Sequence, residues 1–177
     1  DGTRITEKSI TLSVATLLGS ELKLRDFDVV YTRSKDTLIA LHDRGKLANA
    51  SGGQAFVSVH VNSAGSTRSG SSARGVETYF LSVARTEDAK RVQALENSSA
   101  RYEDPFVIPE KADPLSYILG DMKQNDQLRE SSAMAERIQQ TLSKAHPGGN
   151  RGVKQAEFAV LVGSFMPAVL VERFPDL

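Results

Sequence analysis

Residues 55–62 read Ala-Phe-Val-Ser-Val-His-Val-Asn, and this stretch restricts the choice of fold more than any other part of the chain. Val57, Val59 and Val61 alternate with Ser58 and His60 after Phe56, which is the period and composition of a buried strand. His60 therefore stands at or near the strand's C-terminal end, the edge where open α/β sheets place their sites. A lone histidine is more often a satisfied core or surface residue than a ligand, so its role has to be argued from the rest of the chain.

Helical and strand patterns alternate on either side. Thr6 can cap a helix with Glu7 in its first turn and Ile10, Val14, Leu17 and Leu18 at helical spacing to about residue 23. Residues 27–32 have strand composition, and 38–50 return to a helical pattern that Ser51-Gly52-Gly53 ends. After the His60 strand come a loop at 65–75 rich in Gly, Ser and Arg, and then an alternating strand over 75–82. Residues 86–102 are helical and highly charged, with a narrow apolar stripe of Ala89, Val92 and Leu95. Pro105, Pro109 and Pro114 make 103–113 a connector. A long helix over 115–145 ends at His146-Pro147-Gly148-Gly149, where His146 suits a capping or surface role. Further strands are expected over 152–161 and from 168, where residues 168–171 form the continuous apolar run of a strand covered on both faces. Glu172 leaves that strand at its end, either paired with a cation for structure or working in a site.

This order predicts an α/β fold, a mostly parallel twisted sheet flanked by helices on both faces, with a helical insertion before the last strands. The 177 residues suit a single domain spanning 1–177. Lys plus Arg and Asp plus Glu balance at 22 each, so no global field favours nucleic acid as a partner. No apolar run approaches the roughly 20 residues of a membrane span. The absence of Cys excludes thiolate zinc sites and a thiol nucleophile, leaving His, Asp and Glu as metal ligands.

Four pieces of the chain are Thr6-Glu7-Lys8 opening a helix, Thr32-Arg33-Ser34-Lys35-Asp36 followed by 41–49, Ser58-Val59-His60-Val61-Asn62-Ser63-Ala64, and Met166 to Glu172. In order and approximate spacing they resemble the zinc-dependent N-acetylmuramoyl-L-alanine amidases, the peptidoglycan-cutting family that includes the cell-division amidases. The resemblance implies a zinc ion held by a His, a Glu and a second His, with Glu7 as the glutamate ligand, His60 as the second histidine and Glu172 as the catalytic carboxylate. Arg173-Phe174 departs from the small or glycine-containing turn usual in the family after that carboxylate. The family's first histidine lies in an Asp-Pro-Gly-His-Gly-Gly turn after the first strand. That motif is absent, and neither His42 nor His146 stands in such a context, so the expectation is a chain lacking the first strand and one metal ligand.

An amide resists water at neutral pH, and without a Ser or Cys nucleophile an amidase gains from a metal that activates water and polarises the carbonyl. Glu172 would then move the proton from the attacking water to the leaving amine. Asn62 either makes a second-layer or substrate contact or caps the turn after its strand. Cell-division members carry an inserted helix that covers the zinc cleft until a protein activator removes it. Residues 92–103, with Glu96-Asn97, resemble that part, which makes 86–113 the expected regulatory helix and connector, with Glu96 either reaching the metal in an autoinhibited state or lying on a solvated charged face. The expected activity is cleavage of the amide between N-acetylmuramic acid and L-alanine, with peptidoglycan as substrate and the cell envelope, periplasmic or extracellular, as location. The alternatives are a catalytically inactive peptidoglycan-binding or regulatory module of the same fold, and an unrelated metal-dependent peptidase.

Overall fold

The structure is a computed structural model that describes residues 6–61, 74–102 and 114–174; for 102 and 114–126 only the backbone is considered. Asn62, most of the 65–75 loop and the 103–113 connector lie outside the described residues. The helices are α1 (Glu7–Lys23), α2 (Leu41–Ala50), α3 (Glu87–Asn97) and α4 (Pro114–Ala145). The strands are β1 (Phe56–Val61), β2 (Gly75–Leu81), β3 (Asn150–Ala156) and β4 (Ala168–Phe174). They form one four-stranded sheet in the order β1-β4-β2-β3, parallel at β1–β4 and β2–β3 and antiparallel at β2–β4. The fold is thus the expected α/β arrangement with a mostly parallel sheet.

The period-2 alternation decides which side chains meet. Ser58 and His60 of β1, Leu170 and Glu172 of β4, and Glu77 and Tyr79 of β2 share one face by register. Over this face lie α3, which buries Ala89 and Val92, and the turn at 158–162, which buries Phe158, Val160 and Leu161. Tyr79 and Phe158 meet edge to face with centroids 4.9 Å apart. On the opposite face α4 is fastened by Gln139, which accepts from Thr78 Oγ1 at 2.8 Å and donates to the Val76 carbonyl at 2.7 Å. Helices therefore cover both faces, and α4 starts at a proline, which suits the first helical position because its missing N–H has no partner to lose there.

Three local expectations need correction. Residues 27–32 form no strand: among the described residues no ladder partner lies beside them, and Phe27 and Val30 remain 60% and 68% exposed. Strand composition cannot make a strand without a neighbour to take its hydrogen bonds. The strand expected over 152–161 runs instead from Asn150 to Ala156, because Leu161 and Val162 donate back to the Phe158 carbonyl and close a turn. Thr6 precedes α1 in extended geometry but makes no side-chain cap bond; its carbonyl accepts from the Ser9 hydroxyl at 2.7 Å instead. Thr86 does cap α3, accepting from the Ala89 amide at 3.1 Å.

Candidate active site

His60 is buried near the C-terminal end of β1, and its Nε2 lies 3.1 Å from Ser58 Oγ. That contact leaves Nδ1 facing two carboxylates, Glu96 Oε2 at 2.6 Å and Glu7 Oε1 at 3.6 Å. Glu7 opens α1, where the helix N-terminus favours an anion. Glu96 comes from the last turn of α3, and its side chain is 12% exposed against 50% for Glu7. Across the sheet, Glu172 of β4 is the direct neighbour of His60, and Glu77 of β2 is the direct neighbour of Glu172. The structure thus brings together His60, Glu7, Glu96 and Glu172 from four separate segments.

Burial pulls the His60 imidazole down, but Glu7 and Glu96 overcome it and raise it to about 10. For Glu7, burial works upward and is outweighed by the pull of the nearby His60 ring, which leaves its carboxyl below the usual range. Burial pushes the Glu172 carboxyl well above the usual range; His60 opposes this, while Glu96, Glu7 and Glu77 add to it. Both Glu172 oxygens are buried, and among the described residues neither receives a hydrogen bond.

The cluster fits a metal ion. One donor atom from each of Glu7, His60 and Glu96 lies within 4.8 Å of the others, and the N,O,O set suits zinc. The approach of Glu96 to Nδ1 is short, yet its direction leaves that buried nitrogen without a well-formed hydrogen bond. Donors that crowd together without satisfying one another are what a shared cation would organise. Ser58 on the far ring nitrogen would fix the ring's orientation.

Sequence reasoning passed over a second ionic group beside this one. Glu77 is fully buried and accepts from Tyr79 Oη at 2.6 Å, Arg151 Nε at 2.8 Å and Lys154 Nζ at 2.6 Å. Asp88, in the first turn of α3, takes the other contacts of the same two cations at 2.9 and 2.6 Å. A signal was present in the sequence: Glu77 and Lys154 both fall on the inward phase of their strands, next to Tyr79 and Ala156, where a charge calls for a partner. His146, the residue after α4, accepts from the Gly148 amide through Nδ1 at 3.0 Å and has Arg173 Nε 3.2 Å from its Nε2, so its ring closes the turn that follows the helix. Arg44 donates to the Ile39 carbonyl at 3.1 Å.

Fold and site together define a class, an α/β domain whose sheet edge carries an imidazole ringed by carboxylates as a candidate metal site. The chain belongs to the N-acetylmuramoyl-L-alanine amidase family, whose profile matches residues 2–174. It is 30% identical over 168 residues to N-acetylmuramoyl-L-alanine amidase AmiA of Escherichia coli (strain K12), a match that covers 94% of this chain and 56% of that protein. The chain thus spans little more than half the length of that relative. Among solved structures it is similar to an N-acetylmuramoyl-L-alanine amidase from Clostridium difficile 630, with TM-score 0.64, 27% identity, and 97% of this chain and 69% of that one covered. It is also similar to the catalytic domain of CwlV from Bacillus (Paenibacillus) polymyxa var. colistinus, with TM-score 0.55, 26% identity, and 96% and 67% covered.

Proposed function

We propose that this chain is the catalytic domain of a peptidoglycan amidase that hydrolyses the amide between the lactyl group of N-acetylmuramic acid and L-alanine. The observation that carries the reading, alongside family membership, is the convergence of Glu7, His60 and Glu96 donor atoms beside the unpartnered carboxylate of Glu172. Glu7 and His60 would hold zinc, which supplies Lewis acidity for activating water and polarising an amide carbonyl near neutral pH. Glu172 accepts a proton from the attacking water and delivers it to the departing nitrogen as the C–N bond breaks. A buried carboxyl with a raised affinity for protons is suited to both halves of that transfer.

Glu96 would act as the internal occluder, filling the space beside His60 that the substrate carbonyl needs, and a protein activator would act by drawing the end of α3 away. The helix is not a detachable lid, since Ala89 and Val92 belong to the core. Release must therefore be local to its C-terminal turn. Peptidoglycan as substrate and the cell envelope as location follow from this reading. No helix among the described residues is long and apolar enough to cross a membrane.

The test is Glu172→Gln in the full-length protein. Turnover of purified peptidoglycan should fall by about 10² to 10⁴-fold with zinc affinity retained. Unchanged turnover would overturn the assignment of Glu172.

A further inference from the structure

We propose that Glu77 is a positioning residue for Glu172, engaging the cations Arg151 and Lys154 so that the neighbouring carboxylate stays unpartnered for proton transfer. The inference rests on the reading of Glu172 as the proton-transfer group. His60, Glu172 and Glu77 form a lateral row across β1, β4 and β2, and directly opposed residues on one sheet face lie within about 5.5 Å at Cβ. The two glutamates are equally buried and oppositely served. Glu77 has both oxygens engaged, by one hydroxyl and two cations, whereas Glu172 has neither engaged.

Placing two buried carboxylates side by side is costly unless something is gained, because each disfavours the charge on the other. The gain lies in what the cations would do otherwise. Arg151 already extends over β4, its guanidinium carbon 4.2 Å from the centroid of Phe174, two residues beyond Glu172. Glu77 and Asp88 balance the two cations Arg151 and Lys154, while the more exposed Arg91 meets Asp88 from its outer side. Without Glu77 the half-buried cations Arg151 and Lys154 share only Asp88, and Glu172 is the unpartnered carboxyl group beside them. A carboxylate drawn into such a pair is held by the cation and turned from the water it must meet.

The competing explanation is that Glu77 only ties β2 to β3 and, through Asp88, to α3. Glu77→Gln and the double variant Glu77→Gln/Lys154→Met separate the two in the full-length protein, because the double variant removes the surplus charge without restoring the tie. Glu77→Gln should lower kcat about tenfold or more while KM and zinc affinity stay within about twofold, and a crystal structure should show Lys154 or Arg151 paired with Glu172. Lys154→Met added to it should recover most of the lost kcat, as Arg151 and Asp88 remain a neutral pair. The inference is overturned if Glu77→Gln turns over like wild type, or if the double variant folds, binds zinc normally and is no more active than one tenth of wild type. That second result also decides the matter where Glu77→Gln alone does not fold. A fully active Glu172→Gln protein would instead sink the reading of Glu172, and the two failures are thereby distinguished.

Discussion

Ser58 and His60 sit two residues apart on one face of β1, so the strand that carries the imidazole also supplies the hydroxyl that orients it. The geometry leaves Nδ1 as the ring nitrogen that meets the carboxylates of Glu7 and Glu96. Zinc that binds only the folded site stabilises it by mass action, about 2.7 kcal/mol at a hundredfold excess over Kd. Zinc should therefore raise the thermal midpoint of the wild-type protein, and His60→Ala should remove that rise; an equal rise in both would place the metal elsewhere. At this scale the sequence was informative about residues that stand in recognisable runs. His60 and Glu172 were read as standing at strand ends, though β4 continues to Phe174, and Glu96 either as reaching the metal or as lying on a solvated face, whereas Glu77 was overlooked because its two cations lie more than seventy positions away.

Helix α3 is a scaffold along most of its length, and in the proposed reading its last turn is also the obstruction. Its first turn is tied to β3 through Asp88, its middle buries Ala89 and Val92, and its last turn presents Glu96 to His60. Two amides hold the far end in register. Gln93 accepts from the Glu157 amide at 3.1 Å, and Asn97 donates to the Glu157 carbonyl and accepts from the Ala159 amide, both at 2.9 Å. If Glu96 blocks the site, Asn97→Ala should raise basal turnover severalfold by loosening that last turn, and assays of peptidoglycan release without any activator would show it; unchanged or lower turnover in a folded variant counts against occlusion. Val92→Ala should instead cost about 1–3 kcal/mol of stability by denaturant titration, the effect of a small cavity in a packed core. Periodicity located α3, although the helix expected over 86–102 gives way to a 3-10 turn after Asn97. It misjudged residues 27–32 and 157–161, where composition favours strand but pairing and turn bonds decide the outcome.

Over the whole molecule the sheet brings chain segments far apart in sequence into one row, with β4 between β1 and β2 as the strand on which the site depends. The sheet's class followed from the alternation of patterns along the chain. The antiparallel contact of β4 with β2, which sets Glu77 beside Glu172, could not be read from local patterns because nothing local encodes strand order. The ionic cluster at β3 also gives stability a pH dependence. Burial acts to raise the Asp88 carboxyl, but Lys154, Arg91 and Arg151 bring it down from 3.8 to about 2. A carboxylate whose folded pKa is depressed contributes stability above its unfolded pKa and loses it as pH falls through the folded value. The stability difference between wild type and Asp88→Asn should thus be full above about pH 4 and vanish towards pH 2, as read by denaturant midpoints across that range. A difference independent of pH would show that the charge of Asp88 does not matter.

The central claim concerns which bond is broken at the His60 site, and mass spectrometry of the peptides released from purified peptidoglycan addresses it directly. The full-length wild-type protein should free intact stem peptides that begin with L-alanine, and His60→Ala should free none. Peptides cut within the stem, or the same release by His60→Ala, would contradict the account.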